Sequence, residues 1–308
     1  MDENKVSIVS RYGDDFTKKE YITNPAIGRE EEIKRLCMIL LTPDKSAILT
    51  GEPGIGKTAV VEGLAYQIQK NNVPDALKGY TIVKIDTQAL IGTVMETGDS
   101  RILSLVEELK SIGKAILFVD EIHTLMNTGQ NQDSALDFAN MLKTGLGRGD
   151  VKLIGATTTA EYERYILRDK AFTRRFTKIE MFEPSKEHTI KIMMGTLPRI
   201  EKQTGVKMAY TPFIQEQIMD FIVELNRTYN RVYETAGRYP DVALSMLGEA
   251  FSEALFANEK EMTIHHVENA IKNSKALYDT VITKYLVEFK EKFKDIYARE
   301  ANSQTKES

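Results

Sequence analysis

Eight residues restrict this chain more than any others: Gly51-Glu52-Pro53-Gly54-Ile55-Gly56-Lys57-Thr58, a complete G-x-x-x-x-G-K-[ST] run. Its flanks give it meaning. The apolar run SAILT (46–50) precedes it directly, and the helical stretch AVVEGLAYQIQ follows. A strand that turns through glycines into a helix points several backbone N–H groups, and the positive end of the helix, at one place. That is how a backbone cradles phosphate. In such a cradle Lys57 reaches the outer phosphates and the Thr58 hydroxyl is a ligand for Mg²⁺.

Four more apolar runs follow at 81–86, 115–119, 151–156 and, more weakly, 177–181, separated by helical stretches. Strands alternating with helices predict an α/β fold, a parallel five-stranded sheet with flanking helices. Ile33, Leu36, Cys37 and Leu40 recur at helical spacing, so 30–41 reads as an amphipathic helix with Cys37 on its apolar face. After Pro184 the strand signals stop. Ser185 caps a helix to about 203 that Gly205 ends. Thr211–Pro212 opens a second, Pro240 a third over 240–257, and Thr263 caps a fourth. The expected layout is a lead-in over 1–24, a large nucleotide-binding α/β domain over 25–183, a small all-helical lid domain over 184–275, and 276–308 as an amphipathic helix with a disordered tail. In that helix Leu277, Val281, Tyr285, Phe289, Phe293 and Ile296 make one stripe. Packing on the helical unit is the ordinary fate of such a stripe, and a partner contact is the sharper one.

Composition excludes several classes. Lys and Arg number 41 against 45 Asp and Glu, a net charge of −4. The basic residues cluster only in pairs, where a nucleic-acid binder needs a stripe. With a single cysteine there is no disulfide framework and no multi-cysteine metal site. No run approaches the ~20 apolar residues of a membrane helix. The expectation is a soluble, cytoplasmic protein without nucleic acid or membrane as partner.

Three further elements carry chemistry. The run AILFV ends in Asp120-Glu121. Asp120, at a strand tip beside the phosphate cradle, can share the Mg²⁺ with Thr58, and Glu121 can polarise an attacking water. Gly155-Ala156-Thr157-Thr158 ends another strand, where a hydroxyl could orient that water. Arg174-Arg175, in AFTRRF, follows the fourth sheet run; such a pair is usually solvated, but an arginine there can serve a neighbouring subunit's phosphate.

With NPAIGREEEI, LTGEPGIGKTAVVEGLA, VPDALKG, ILFVDEIHTL, NMLKTGLGRGD, IGATTTAEYERYI and AFTRRF in view, the chain resembles the AAA+ ATPases. More narrowly it resembles the first ATPase module of the Clp/Hsp100 chaperones (ClpA, ClpB, ClpC), from about Tyr12 to about Ala276. The resemblance implies that Ile27 and Gly28 line an adenine site and that Gly51, Glu52, Pro53, Gly54, Ile55, Gly56, Lys57, Thr58 and Ala59 bind the phosphates of ATP. It implies that Asp120 and Glu121 are the Walker B pair and that Thr158, in preference to Thr157, is the sensor on the strand tip. Arg174 and Arg175 would act in trans across a hexamer. The implied function is hydrolysis of ATP-Mg to drive protein remodelling or chaperone-like action as an oligomeric ring acting on a protein substrate.

The sequence also departs from the family. The substrate-binding N-terminal domain, the coiled-coil middle domain and the second ATPase module have no counterpart in these residues, so no ClpP docking loop is expected. Where relatives carry an aromatic pore loop, this chain reads Gly92-Thr93-Val94-Met95-Glu96-Thr97-Gly98, with Glu96 at the tyrosine position and Met95 at the lysine. Leu225 to Pro240 is longer by a few residues, and 276–308 is not a family element. An acidic pore supports a second reading, a nucleotide-dependent switch that recruits a partner without threading. A DNA-linked AAA+ loader is disfavoured by the net charge.

Overall fold

The strand formed by SAILT is buried along its whole length, and the sheet is organised around it. In the computed structural model, described for residues 7–86, 101–126, 151–232 and 237–307, the strands of the first unit are β1 (Gly13–Asp15), β2 (Ser46–Thr50), β3 (Thr81–Ile85), β4 (Ala115–Val119), β5 (Lys152–Thr157) and β6 (Phe176–Glu180). They form a sheet in the order β1-β3-β4-β5-β2-β6, with every neighbouring pair parallel except β1 with β3. Alternate residues of β4 face opposite cores: Leu117 and Val119 join Leu105 and Leu109 on one side, while Ile116 and Phe118 join Leu36 and Leu64 on the other. A parallel sheet covered on both faces explains the unbroken apolar runs.

The sheet therefore has six strands where the sequence predicts five. The additional strand comes from the segment read as a lead-in. Gly13 pairs with Ile85 and Asp15 with Val83, and the Phe16 N–H donates to the Ile82 carbonyl at 2.9 Å. A Cβ on Gly13 would lie 2.5 Å from the Val9 carbonyl oxygen, so the strand starts on a glycine. Phe16 is buried beside Phe118, with ring centroids 5.8 Å apart. A three-residue polar edge strand held by backbone pairing leaves no hydrophobic period to read.

Residues 183–308 make a second compact unit. Its helices span Lys186–Thr204, Pro212–Leu225, Asp241–Phe256 and Ile264–Asn273. Ser185 caps the first by accepting from the His188 N–H, and Gly205, at φ +70°, ends it. The unit is not all-helical. Lys207–Met208 (β7) and Glu261–Met262 (β8) pair in parallel and carry Met208 and Met262 into the core. Two-residue strands are too short to announce themselves in sequence.

The C-terminal stripe belongs to this core. Leu277, Tyr285, Phe289 and Phe293 are buried, and Val281 and Ile296 pack against them. The single helix expected over 276–300 is two, Asp279–Lys292 and Lys294–Glu307, meeting at Phe293; the tail expected to be disordered is helical to Glu307. Phe221 stands edge-on to Phe289 at 5.1 Å. Phe289→Ala should therefore cost about 3–5 kcal/mol in urea unfolding of the chain. A loss under about 1 kcal/mol, the range of a surface change, would mean that the stripe is not core.

Candidate functional site

The glycine turn follows from the position of β2. The chain must leave a fully buried strand and enter the helix Lys57–Gln69 within six residues. A Cβ on Gly51 would lie 2.3 Å from Ile55 Cδ1 and 2.6 Å from the Met181 carbonyl oxygen, and Gly56 precedes the helix at φ +94°. Lys57 is 8% exposed, and its Nζ donates to the carbonyls of Gly51 at 2.9 Å and Glu52 at 3.0 Å. Burial lowers its pKa below the usual lysine value, against the opposing charges of Glu121 and Asp120.

A residue with no role in the sequence reading fixes this turn from behind. Arg29 is buried, and its guanidinium donates to the carbonyls of Ile55 at 2.8 Å and Phe182 at 3.1 Å and to Glu32 at 2.7 Å. The only hint in the sequence is an arginine ahead of three glutamates. Ile27 and Gly28 occupy the turn before it. Gly28 has φ +71°, and Ala26 packs so closely on the P-loop helix that a Cβ on Gly63 would lie 2.3 Å from the Ala26 Cβ.

The acidic pair arrives from β4. Thr58 Oγ1 donates to Asp120 Oδ2 at 3.1 Å, and Lys84 Nζ, from β3, lies 3.1 Å from the same oxygen. The two residues expected to share a metal are thus in contact. A hydroxyl and a carboxylate are hard oxygen donors, the set that suits Mg²⁺ with most of its waters retained. Lys84 has no sequence signature, because only strand pairing brings it to Asp120.

Glu121 sits at φ +50°, in a tight turn whose carbonyl accepts from the Thr124 N–H and hydroxyl, both at 2.9 Å. Ile122 N–H donates to the Ala156 carbonyl, and Ile122 packs on Gly155, where a Cβ would come within 2.8 Å. Glycine in β5 thereby lets the turn dock. The Glu121 carboxylate is 3.3 Å from His123 Nδ1, which also lies 3.2 Å from Glu161 Oε2 and 3.0 Å from Thr157 Oγ1. Burial, then the charge of Glu161, raises the pKa of Glu121. For Glu161 burial works the same way, but hydrogen bonds from Thr158 outweigh it and hold its pKa below the usual carboxylate value.

Thr157 is fully buried at the end of β5; Thr158 caps the short turn Thr159–Glu161. The Thr158 N–H and hydroxyl donate to Glu161 Oε2 at 3.0 and 2.8 Å, and its Oγ1 accepts from the Glu161 N–H at 3.2 Å. Arg174 and Arg175 lie elsewhere. The Ser46 N–H donates to the Arg175 carbonyl, and Lys45 Nζ to that of Arg174 at 2.6 Å. They flank the starts of β6 and β2, whereas the P-loop leaves the far end of β2. The five-residue strand separates them by about 16 Å, so neither serves the phosphate cradle of its own chain. Met95 and Glu96 lie outside the described residues. Among the described residues no helix is long and apolar enough to cross a membrane.

Comparison with known proteins gives the family. The ATPase family associated with various cellular activities (AAA) matches residues 47–183. The chaperone protein ClpB of Corynebacterium efficiens is 37% identical over 256 residues, 81% of this chain and 29% of ClpB. A structure of the S. cerevisiae Hsp104:casein complex in its extended conformation superposes with a TM-score of 0.70 at 34% identity, covering 84% of this chain and 43% of Hsp104. The S. cerevisiae Hsp104–ADP complex gives 0.69 at 33% identity, over 85% of this chain and 44% of Hsp104. The chain thus spans about three tenths of the ClpB relative's length and under half of Hsp104's. It belongs to the AAA+ ATPases, in their Clp/Hsp100 branch.

Proposed function

We propose, with that membership as premise, that the chain binds ATP with Mg²⁺ in the Gly51–Thr58 cradle, hydrolyses it, and spends the cycle on remodelling protein as part of an oligomeric ring. The observation that carries the reading is the 3.1 Å contact of the Thr58 hydroxyl with Asp120, beside the buried Lys57. The backbone N–H groups of the turn hold the phosphates. Lys57 exchanges its carbonyl partners for phosphate oxygens, and Thr58 and Asp120 hold Mg²⁺, which supplies positive charge against the phosphates. Glu121 orients the attacking water and accepts its proton. Thr158 senses the phosphate end of the strand, with Thr157 beside it. Ile27 and Gly28 border the adenine.

The site is completed from outside. Arg174 and Arg175, too far from their own cradle, fit a role in a neighbour's, which makes the ring, a hexamer in this reading, part of the active site. That casein and ADP are bound in the Hsp104 structures supports nucleotide-driven action on unfolded protein here too. The proposed setting is the cytoplasm. A second reading rests on Glu96 and Met95 in the pore-loop positions. Copies of Glu96 around an axis would form an anionic collar that grips a moving chain poorly. Nucleotide would then govern recruitment of a partner, without threading.

Two sets of variants test these assignments. Lys57→Ala should lose ATP binding in titration calorimetry, while Glu121→Gln should bind ATP and lose turnover; wild-type turnover in Glu121→Gln would refute the assignment of Glu121. Separately, the double change Arg174→Ala/Arg175→Ala should lower kcat by about 10³–10⁵ with binding intact. Mixing it with Lys57→Ala subunits should restore some activity, since one interface type then holds both intact halves. A strictly monomeric chain at full rate, by sedimentation, would contradict action in trans.

A further inference from the structure

The proposed chemistry leaves His123 and Glu161 without a role, although both stand at its centre. His123 Nδ1 has three oxygen neighbours: Thr157 Oγ1 at 3.0 Å, Glu161 Oε2 at 3.2 Å and Glu121 Oε2 at 3.3 Å. Two of these belong to carboxylates, which only accept, so Nδ1 carries the proton. The ring is held for this purpose. It stacks on Tyr165 at 6.0 Å with the planes 21° apart, and its side chain is 13% exposed. Tyr165 lies in a π-helical turn, Tyr162–Ile166, an irregularity that often marks a functional site.

Glu161 is the fixed anchor of this arrangement. The Thr158 N–H, the Thr158 hydroxyl and the Thr157 hydroxyl all reach its Oε2, at 3.0, 2.8 and 3.2 Å. Glu121 is different. Its carboxylate is 52% exposed and, among the described residues, is paired with His123. The ligand atoms of all three side chains lie within 4.8 Å of one another. The imidazole stands between two carboxylates that repel each other at that separation.

We infer that His123 is a positioning residue for hydrolysis: fastened to the tip of β5 by Glu161 and Thr157, it holds the Glu121 carboxylate in place and shields it from Glu161. This rests on the reading of Glu121 given above. It connects the strand tip of β5 with the turn after β4 through side chains, so a hydroxyl that senses the phosphate and the carboxylate that directs water share one support.

The test is steady-state turnover and ATP affinity of the full chain. His123→Phe keeps an aromatic ring to stack on Tyr165 but removes both ring nitrogens. Its kcat should fall by about 10- to 100-fold, the range for losing a partner that orients a metal ligand, with ATP affinity within about twofold of wild type. His123→Asn, which returns an N–H donor, should recover most of the loss. Adding Glu161→Gln to His123→Phe should recover part, because the repelling charge goes; a purely structural role predicts further damage instead. In a Glu121→Gln background His123→Phe should change nothing more. A wild-type kcat in His123→Phe while Glu121→Gln is inactive would overturn the positioning role alone, as would a loss that neither His123→Asn nor Glu161→Gln relieves. Full turnover in Glu121→Gln would instead remove the reading on which it rests.

Discussion

A buried lysine ammonium at the end of a buried strand is the constraint on which the site depends. Lys57 cannot stay charged there without acceptors, and the turn supplies them as the carbonyls of Gly51 and Glu52. Only a loop wound through glycines can bring those carbonyls and the N-terminus of the following helix to one point. Arg29 then fixes the far side of the loop through the carbonyl of Ile55, tying it to the helix Glu30–Leu41 and to the end of β6. Removing Arg29 would leave buried carbonyls unpaired, a cost of about 1–3 kcal/mol for each group.

The parallel sheet does the rest. Strands running one way deliver their ends to one edge, and ligand chemistry gathers there. Gly51 follows β2, Asp120 and Glu121 follow β4, and Thr157 ends β5. One edge thus holds the glycine turn, the expected metal ligands and the acid proposed to direct water. The same geometry puts Arg174 and Arg175 at the opposite edge, ahead of β6. If an arginine of that edge acts on phosphate, as proposed, the strand directions require it to act from a neighbouring copy.

What the sequence discloses is what its local spacing encodes. The P-loop lies within eight residues, and β2 and β4 are continuous apolar runs, so motif and flank could be read together. Helix 30–41 and the caps at Ser185 and Gly205 were legible for the same reason. Lys84 and Arg29 were not, because each acts on a partner that only tertiary pairing supplies; Glu161 carried a local signal, the Thr158-x-x-Glu161 capping box, which shows its cap but not its contact with His123. His123 stands two residues after Glu121, yet nothing local says that its ring turns toward Glu161 across the sheet edge. Edge strand β1 and the β7–β8 pair are too short to show a period. Cys37 needed no chemistry: burial pushes its thiol up to about 11, and it packs as a small apolar side chain.

The likeness to ClpB and Hsp104 covers most of this chain but a minor part of theirs, so it speaks for the module and its cradle. Whether this cradle takes a metal-bound triphosphate is decided by a crystal structure with Mg²⁺ and a slowly hydrolysed ATP analogue. Lys57 Nζ should leave the carbonyls of Gly51 and Glu52 for phosphate oxygens, with the ion bound through Thr58 and Asp120. A triphosphate bound elsewhere, with Lys57 still donating to those two carbonyls, would contradict the account.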